Sequence, residues 1–286
     1  MSPKTSFGSK AMTLPMMLSW LAAFMTIFLN FDCMASPPLP PSPPPYPYHD
    51  TAALVALMMA LGSPPWLTSQ WNVSTNPCTS WAGVRCLSPY PPYSLYNTSG
   101  SGILSLDFSA AQPPFTGSPF PPISIWEMFF NMKSLDCTGQ GLQGPASGLG
   151  DWSGVLTSLD ILKLGGNSLS GSLAMPPWPQ GLIQVDISNN ALTGSLPKLS
   201  LTNAAALQQL QIGGNANITG SIPTSYSSLT ALSYLNMSGN SGLSGLLPAA
   251  WSSLTQMSKL DLSDCGFSSG ALGSSIKLLV CSLIAV

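Results

Sequence analysis

The stretch "ALQQLQIGGNANITGSIP" (206–223) decides the fold, because its pattern recurs along the second half of the chain. The other clear copies are "LTSLDILKLGGNSLSGSL" (156–173), "GLIQVDISNNALTGSLP" (181–197) and "ALSYLNMSGNSGLSGLLP" (231–248). All four share the frame L-x-x-L-x-L-x-x-N-x-L-x-G-x-L-P, with one extra residue between the asparagine and the next apolar position in the copies at 206–223 and 231–248. Self-similarity at a fixed period of roughly 20–50 residues indicates units that stack on one another.

Three degenerate copies extend the array to seven repeats over residues 101–277. They are "GILSLDFSAAQPPFTGSP" (102–119), "MKSLDCTGQGLQGP" (132–145) and "MSKLDLSDCGFSSG" (257–270). Cys137 takes a leucine slot and Gln140 an asparagine slot. The slot that ties neighbouring loops, here called the ladder position, is held by Asn167, Asn190, Asn215, Asn240 and Cys265.

Each repeat is expected to form one short strand whose alternate leucines point inward. A single coil cannot bury its leucines alone, so stability comes from the interfaces between neighbours. Buried asparagines can bond backbone groups that would otherwise lack partners. The frame therefore predicts an α/β repeat fold, a solenoid with a parallel β-sheet.

The chain end gives two readings. "LLVCSLIAV" (278–286) fits the first apolar positions of the frame, which predicts an incomplete eighth repeat. The alternative is a lipid-anchor signal, with small residues at 268–270 before an apolar tail.

The first 35 residues predict a signal peptide. Lys4 and Lys10 precede a long apolar run, and Cys33-Met34-Ala35 fits a cleavage site. A retained signal anchor is the alternative. Both place the remaining chain in an oxidising, disulfide-permissive compartment.

Residues 36–48 form a proline-rich linker, "SPPLPPSPPPYPY". Proline lacks the backbone donor and favours extended neighbours, so a semi-rigid polyproline II rod is expected. The stretch resembles the serine–polyproline–tyrosine units of plant and algal hydroxyproline-rich wall glycoproteins. A plain spacer is the alternative.

A cap is predicted over residues 50–100. Leucines at helical spacing in "DTAALVALMMALG" indicate a helix, with Asp50 or Thr51 as its N-cap. In "NPCTSWAGVRC" (76–86), Cys78 and Cys86 are too far apart for a redox motif, and no second ligand pair follows for zinc. A disulfide fits the spacing and the compartment.

The helix, "PC", "WAGV" and the final cysteine resemble the N-terminal cap of plant-type leucine-rich-repeat proteins, and "ITGSIP" resembles their repeat. The resemblance covers about residues 50–286. It implies a curved solenoid with a concave parallel sheet, and a small helical cap in which Cys78 and Cys86 are bonded.

Composition and motifs argue against several functions. Charged residues make up 6% of the chain and the net charge is −2, so nucleic-acid binding is not expected. His49 is the only histidine, so no triad with a histidine base can form. We expect no enzymatic activity, metal or cofactor.

Function is therefore expected on the surface. The frame predicts that the concave sheet displays Ser134, Asp136, Ile161, Lys163, Gln184, Asp186, Gln209, Gln211, Tyr234, Asn236, Lys259 and Asp261. Candidate N-glycosylation sites are Asn72, Asn97, Asn217 and Asn236. A glycan on Asn236 would obstruct one end of the groove, so ligand contacts are expected in repeats two to five.

The resemblance, which includes receptor-like protein ectodomains and polygalacturonase-inhibiting proteins, implies an extracellular recognition protein. Its concave face would bind a protein, a peptide or a cell-wall glycan. The chain would be secreted, or held at a membrane only through a retained N-terminal anchor or a C-terminal anchor. The alternatives are a structural wall protein and a fragment of a receptor-like protein or receptor kinase.

Overall fold

A computed structural model describes residues 48–72, 74–86, 102–111, 114–145, 154–173, 178–198 and 204–267. The predicted signal segment, all but the last residue of the linker, and the predicted eighth repeat lie outside these ranges. Within the described ranges, no helix is both long and apolar enough to cross a membrane.

The described part of the cap, residues 48–72 and 74–86, contains three helices and one strand: α1 (Tyr48–Ala60), α2 (Pro65–Gln70), α3 (Pro77–Ser80) and β1 (Val84–Cys86). Helix α1 includes Tyr48, so the prediction of Asp50 or Thr51 as N-cap is wrong. The last proline of the linker, Pro47, directly precedes this helix, and residues 48–60 contain no proline that would interrupt it. The helix can therefore begin directly after the linker. Gly62 ends the helix with φ +82°, a left-handed conformation that suits glycine.

The predicted disulfide joins Cys78 to Cys86, with their Cα atoms 5.5 Å apart. Beside it, the rings of Trp71 and Trp81 stack with centroids 5.0 Å apart. Trp71 also contacts Phe108 of the first repeat at 5.6 Å. Both tryptophans are buried, so the cap closes the apolar end of the first coil.

Among the described residues, the concave sheet has eight strands in the order β1-β2-β3-β5-β7-β9-β11-β13. Strand β1 is antiparallel to β2, and the other neighbours are parallel. The parallel strands, one from each repeat, are β2 (Ile103–Asp107), β3 (Ser134–Asp136), β5 (Ile161–Lys163), β7 (Gln184–Asp186), β9 (Gln209–Gln211), β11 (Tyr234–Asn236) and β13 (Lys259–Asp261). From β3 onward, the central residue of each strand is buried in a core that runs through all the coils.

A second parallel sheet, which the sequence analysis did not predict, has six strands within the described ranges, in the order β14-β12-β10-β8-β6-β4. They are β4 (Gln143–Pro145), β6 (Ser168–Ser172), β8 (Ala191–Gly194), β10 (Asn217–Gly220), β12 (Gly242–Gly245) and β14 (Gly266–Phe267). These strands come from the L-x-G-x-L half of the frame. The glycine there takes positive φ, for example +85° at Gly194, so the backbone departs from regular strand geometry.

Short helices complete the coils on the remaining side. They are α4 (Ile123–Trp126) and the 3₁₀ helices η1 (Glu127–Phe129), η2 (Thr224–Ser228) and η3 (Ala249–Ser253). Trp126, Tyr226 and Trp251 point inward from these segments and are buried. From the second repeat onward, each coil thus packs a concave strand, a second-sheet strand and, where present, a short helix around the same core. The first coil meets the second sheet only through an isolated bridge between Pro119 and Gln143.

Candidate binding face of the concave sheet

The outward residues of the concave strands form two rows in register across the sheet. All twelve predicted residues lie in these rows, half-buried except for the exposed Lys259. The first outward row is Ser134, Ile161, Gln184, Gln209, Tyr234 and Lys259. The second outward row is Asp136, Lys163, Asp186, Gln211, Asn236 and Asp261.

All four acidic and asparagine residues of the second outward row hold the turn that follows their strand, as does Asp107 at the end of the adjoining strand β2. Asp186 Oδ1 accepts hydrogen bonds from the Ser188 backbone N–H at 2.9 Å and from the Ser188 hydroxyl at 2.6 Å. The same two bonds join Asp107 to Ser109, Asp136 to Thr138, Asn236 to Ser238 and Asp261 to Ser263. These side chains therefore have a structural role that the sequence analysis missed. The signal was present as Asp or Asn followed two residues later by Ser or Thr.

Two lysines at the N-terminal side of the face are paired with carboxylates. Lys163 Nζ lies 3.4 Å from Asp136 Oδ2 on the neighbouring strand. Lys133 Nζ lies 3.4 Å from Asp160 Oδ2, just outside the two rows. Such partly exposed pairs contribute little to stability, but they neutralise this part of the face.

Lys259 is in a different environment at the other side of the face. Its ammonium lies 4.5 Å from the centroid of the Tyr234 ring and 3.5 Å from the tyrosine hydroxyl. Among the described residues, no carboxylate lies within ion-pair distance of it. The positive charge is therefore held by an aromatic ring and left without a counter-charge from this part of the chain.

The centre of the face is uncharged. Strands β9 and β11 carry amide, aliphatic and aromatic side chains but no charged residue. Gln209 pairs in register with Gln184 on one side and with Tyr234 on the other. The first outward row thus changes from polar and aliphatic, through two amides, to an aromatic ring and a cation.

The ladder residues join successive coils, as the sequence predicts. Asn167 Nδ2 donates to the Cys137 carbonyl of the preceding coil at 2.9 Å, and its Oδ1 accepts from Leu142 N–H at 3.0 Å. Asn190 and Asn215 bond their preceding coils in the same way. Cys265 Sγ lies 3.1 Å from the Met237 carbonyl oxygen. This contact takes the place of the hydrogen bond that an asparagine side-chain amide donates to the preceding coil.

The glycosylation candidates lie in different environments. Asn72 in the cap and Asn217 on the second sheet are exposed, whereas Asn236 is half-buried on the concave sheet. Asn97 lies outside the described residues. Glycosylation at all four remains a prediction.

The two described free cysteines are poorly suited to nucleophilic chemistry. Burial raises the pKa of the Cys137 thiol far above its usual range, and the nearby Asp136 and Asp107 add to the effect. Burial also raises the pKa of Cys265. Within the described ranges, no group of three or more histidine, cysteine or acidic side chains could hold a metal ion.

Stacked coils, an asparagine ladder and a disulfide-closed cap define a leucine-rich-repeat solenoid. The cap residues 47–87 match the family model described as "Leucine rich repeat N-terminal domain". The fold is therefore a leucine-rich-repeat solenoid, and the chain is similar to plant receptors of this fold.

Three similarities to known proteins extend beyond the cap. The chain is 27% identical over 203 residues to the systemin receptor SR160 of Solanum peruvianum. The aligned region covers 56% of this chain and 16% of the receptor. It is 42% identical over 97 residues to the brassinosteroid LRR receptor kinase BRL3 of Oryza sativa subsp. japonica. This aligned region covers 32% of this chain and 8% of the kinase. The chain therefore spans less than a fifth of either curated relative.

A solved structure shows the same fold. The ectodomain of the Arabidopsis receptor kinase HAESA, crystallised with a peptide hormone ligand, superposes with a TM-score of 0.55 at 23% identity. The superposition covers 81% of this chain and 40% of the HAESA chain. At this identity the similarity concerns the fold.

Proposed function

We propose that the chain is a non-enzymatic recognition protein that binds a peptide or protein on its concave sheet. The observation that carries the proposal is the variety of the first outward row. The frame repeats its leucines, glycines and ladder asparagines, yet these six positions hold Ser, Ile, Gln, Gln, Tyr and Lys. Stacking requires no particular side chain at a solvated position, so these six positions are free to form a recognition surface without cost to the fold.

The similar proteins support the peptide class of ligand. One relative is named a systemin receptor, and the HAESA ectodomain was crystallised with a peptide hormone. A role as part of a longer receptor-like protein is compatible with the short span of the chain on its relatives. A cell-wall glycan remains the alternative ligand.

An extracellular location is part of the proposal. The Cys78–Cys86 disulfide favours an oxidising compartment, where such bonds persist. The exposed sequons at Asn72 and Asn217 are compatible with the secretory pathway. Secretion and attachment to a membrane both agree with these features.

The proposal can be tested with a displayed library of random peptides selected on the purified protein. Two double variants change the same two repeats: Gln184→Arg with Gln209→Arg on the concave sheet, and Ser195→Arg with Ser221→Arg at exposed positions directly after the second-sheet strands β8 and β10. We expect the concave variant to lose retention of the selected peptides by about tenfold or more, because each arginine adds bulk and charge at the contact. The second-sheet variant should retain them. Equal loss in both, or no selectable peptide, would argue against the proposal.

A further inference from the structure

We propose that the first outward row takes an extended peptide segment of about six residues, with an acidic group at Lys259, an apolar side chain at Ile161 and no charge between them. This inference rests on the proposed function and specifies its ligand. It assigns the concave sheet one class of ligand, an extended peptide with an acidic end and an apolar end.

The length follows from the spacing of the strands. Ile161 lies on β5 and Lys259 on β13, four strand steps apart in a continuous register. At about 4.8 Å per step the two positions are about 19 Å apart. An extended peptide advances about 3.3 Å per residue, so about six residues span this distance.

The acidic end follows from the unbalanced charge of Lys259. Lys133 and Lys163 each have a carboxylate partner at 3.4 Å, so their charges are already compensated. Lys259 is exposed and rests on the Tyr234 ring, which fixes its position without neutralising it. A ligand carboxylate here would gain charge complementarity that no other concave lysine offers.

The uncharged centre follows from the paired amides of Gln184 and Gln209. A carboxamide both donates and accepts hydrogen bonds, and so matches the peptide groups of an extended ligand. At Gln209 a charged ligand side chain would lose water without gaining an opposite charge, because strands β9 and β11 carry no charged residue. The first outward row therefore selects against charge in the middle of the segment.

The apolar end lies on β5 and beside β7. Ile161 is half-buried, and Ile183, which directly precedes strand β7, is 36% exposed. Ile161 pairs in register with Gln184, the residue next to Ile183. Ile161 thus offers a small aliphatic contact on the first outward row at the opposite side from Lys259, and the exposed Ile183 adds apolar surface at the edge of strand β7.

The inference extends the contact surface beyond repeats two to five, because Tyr234 and Lys259 belong to repeats six and seven. It therefore requires that Asn236, two residues beyond Tyr234 on the same strand and on the same face, carries no glycan. Asn236 is half-buried and its Oδ1 accepts two hydrogen bonds from Ser238. Glycopeptide mapping of the secreted protein that finds Asn236 occupied would overturn the inference.

The decisive test is a positional-scanning library of hexapeptides, prepared with free and with amidated C-termini. Wild-type protein should enrich an acidic group at one end by about tenfold. Lys259→Glu should reverse this preference, so that hexapeptides with a basic group at that end are enriched instead. The control variant Lys198→Glu makes the same charge reversal beyond the second sheet and should leave the acidic preference unchanged. Comparison of the two termini distinguishes a side-chain carboxylate from the terminal one.

The outcomes separate this inference from the proposed function. If wild type retains hexapeptides without an acidic preference, or if Lys259→Glu leaves that preference unchanged, the inference fails while peptide binding stands. If no peptide is retained by wild type at all, both fail.

Discussion

The side-chain amide of Asn215 donates to the carbonyl oxygen of Ile187 at 3.1 Å and so joins two successive coils. The same side chain accepts from Leu192 N–H at 3.1 Å and donates to the Ile212 carbonyl at 2.8 Å. It is fully buried. These backbone N–H and carbonyl groups are not bonded within either sheet, and the side-chain amide of Asn215 provides their hydrogen-bond partners.

Asn215→Ala should lower the free energy of unfolding by about 2–4 kcal/mol, because it leaves several buried backbone groups without partners. Asn240→Ala is the matched comparison. Asn240 donates to the Met237 and Ile212 carbonyls, but its Oδ1 has no hydrogen-bond partner among the described residues. Its loss should cost about 1 kcal/mol less in urea unfolding. Equal costs would contradict this account of the ladder.

Asp186→Ala should destabilise the fold by about 1–2 kcal/mol, because its carboxylate accepts two hydrogen bonds from Ser188. Gln184→Ala, two residues earlier on the same strand, should change the free energy of unfolding by less than about 0.5 kcal/mol. Thermal or urea unfolding measures both. A larger loss for Gln184→Ala would show that the division between structural and recognition rows is wrong.

Removal of the cap disulfide by Cys78→Ser with Cys86→Ser should lower stability by about 2–3 kcal/mol, since the bond closes a short loop. Loss of the bond should also loosen the stacking of Trp71 on Trp81 and change tryptophan fluorescence. Wild-type protein under reducing conditions should behave like the double variant. Unchanged stability in both would mean that the bridge does not hold the cap.

Stability should fall at alkaline pH because of Cys137. Burial raises the pKa of its thiol in the folded state, whereas an unfolded thiol ionises near pH 8.5. Below about pH 8.5 both states keep the proton, so the thiol has no effect there. Above it only the unfolded state releases the proton, and the free energy of unfolding falls by up to about 1.4 kcal/mol per pH unit.

Cys137→Val removes the titrating group and keeps an apolar side chain of similar size. Urea unfolding at pH 7.5 and 9.5 should show a drop for wild type that exceeds the drop for the variant by about 1 kcal/mol. Parallel slopes for the two proteins would contradict the prediction.

The repeat frame predicts most of this fold because it encodes burial directly. Leucine spacing places the concave strands, and the outward positions follow from alternation, so the position of Gln209 beside Tyr234 could be read from the sequence. The second sheet was missed because its strands are short and pass through glycines with positive φ. Alternation gives no signal through such a residue.

The finer hydrogen bonding depends on turn geometry, which the frame does not specify. The frame treats Asn215 and Asn240 alike, but the extra residue after Asn215 lengthens its turn. The backbone N–H of Ile218 then donates to the Asn215 carbonyl at 2.9 Å. In the three preceding coils the corresponding backbone N–H instead donates to Oδ1 of the next ladder asparagine. This rearrangement leaves Asn240 Oδ1 without that partner.

The central claim is that ligand lies on the first outward row, and site-specific photocrosslinking tests it most directly. A photoreactive amino acid placed at position 209 faces the concave side, and the same group at position 219, in the same repeat, faces outward from the second sheet. A peptide selected on wild-type protein should crosslink at 209 and not at 219. Crosslinking at 219 alone, or equally at both positions, would contradict the account.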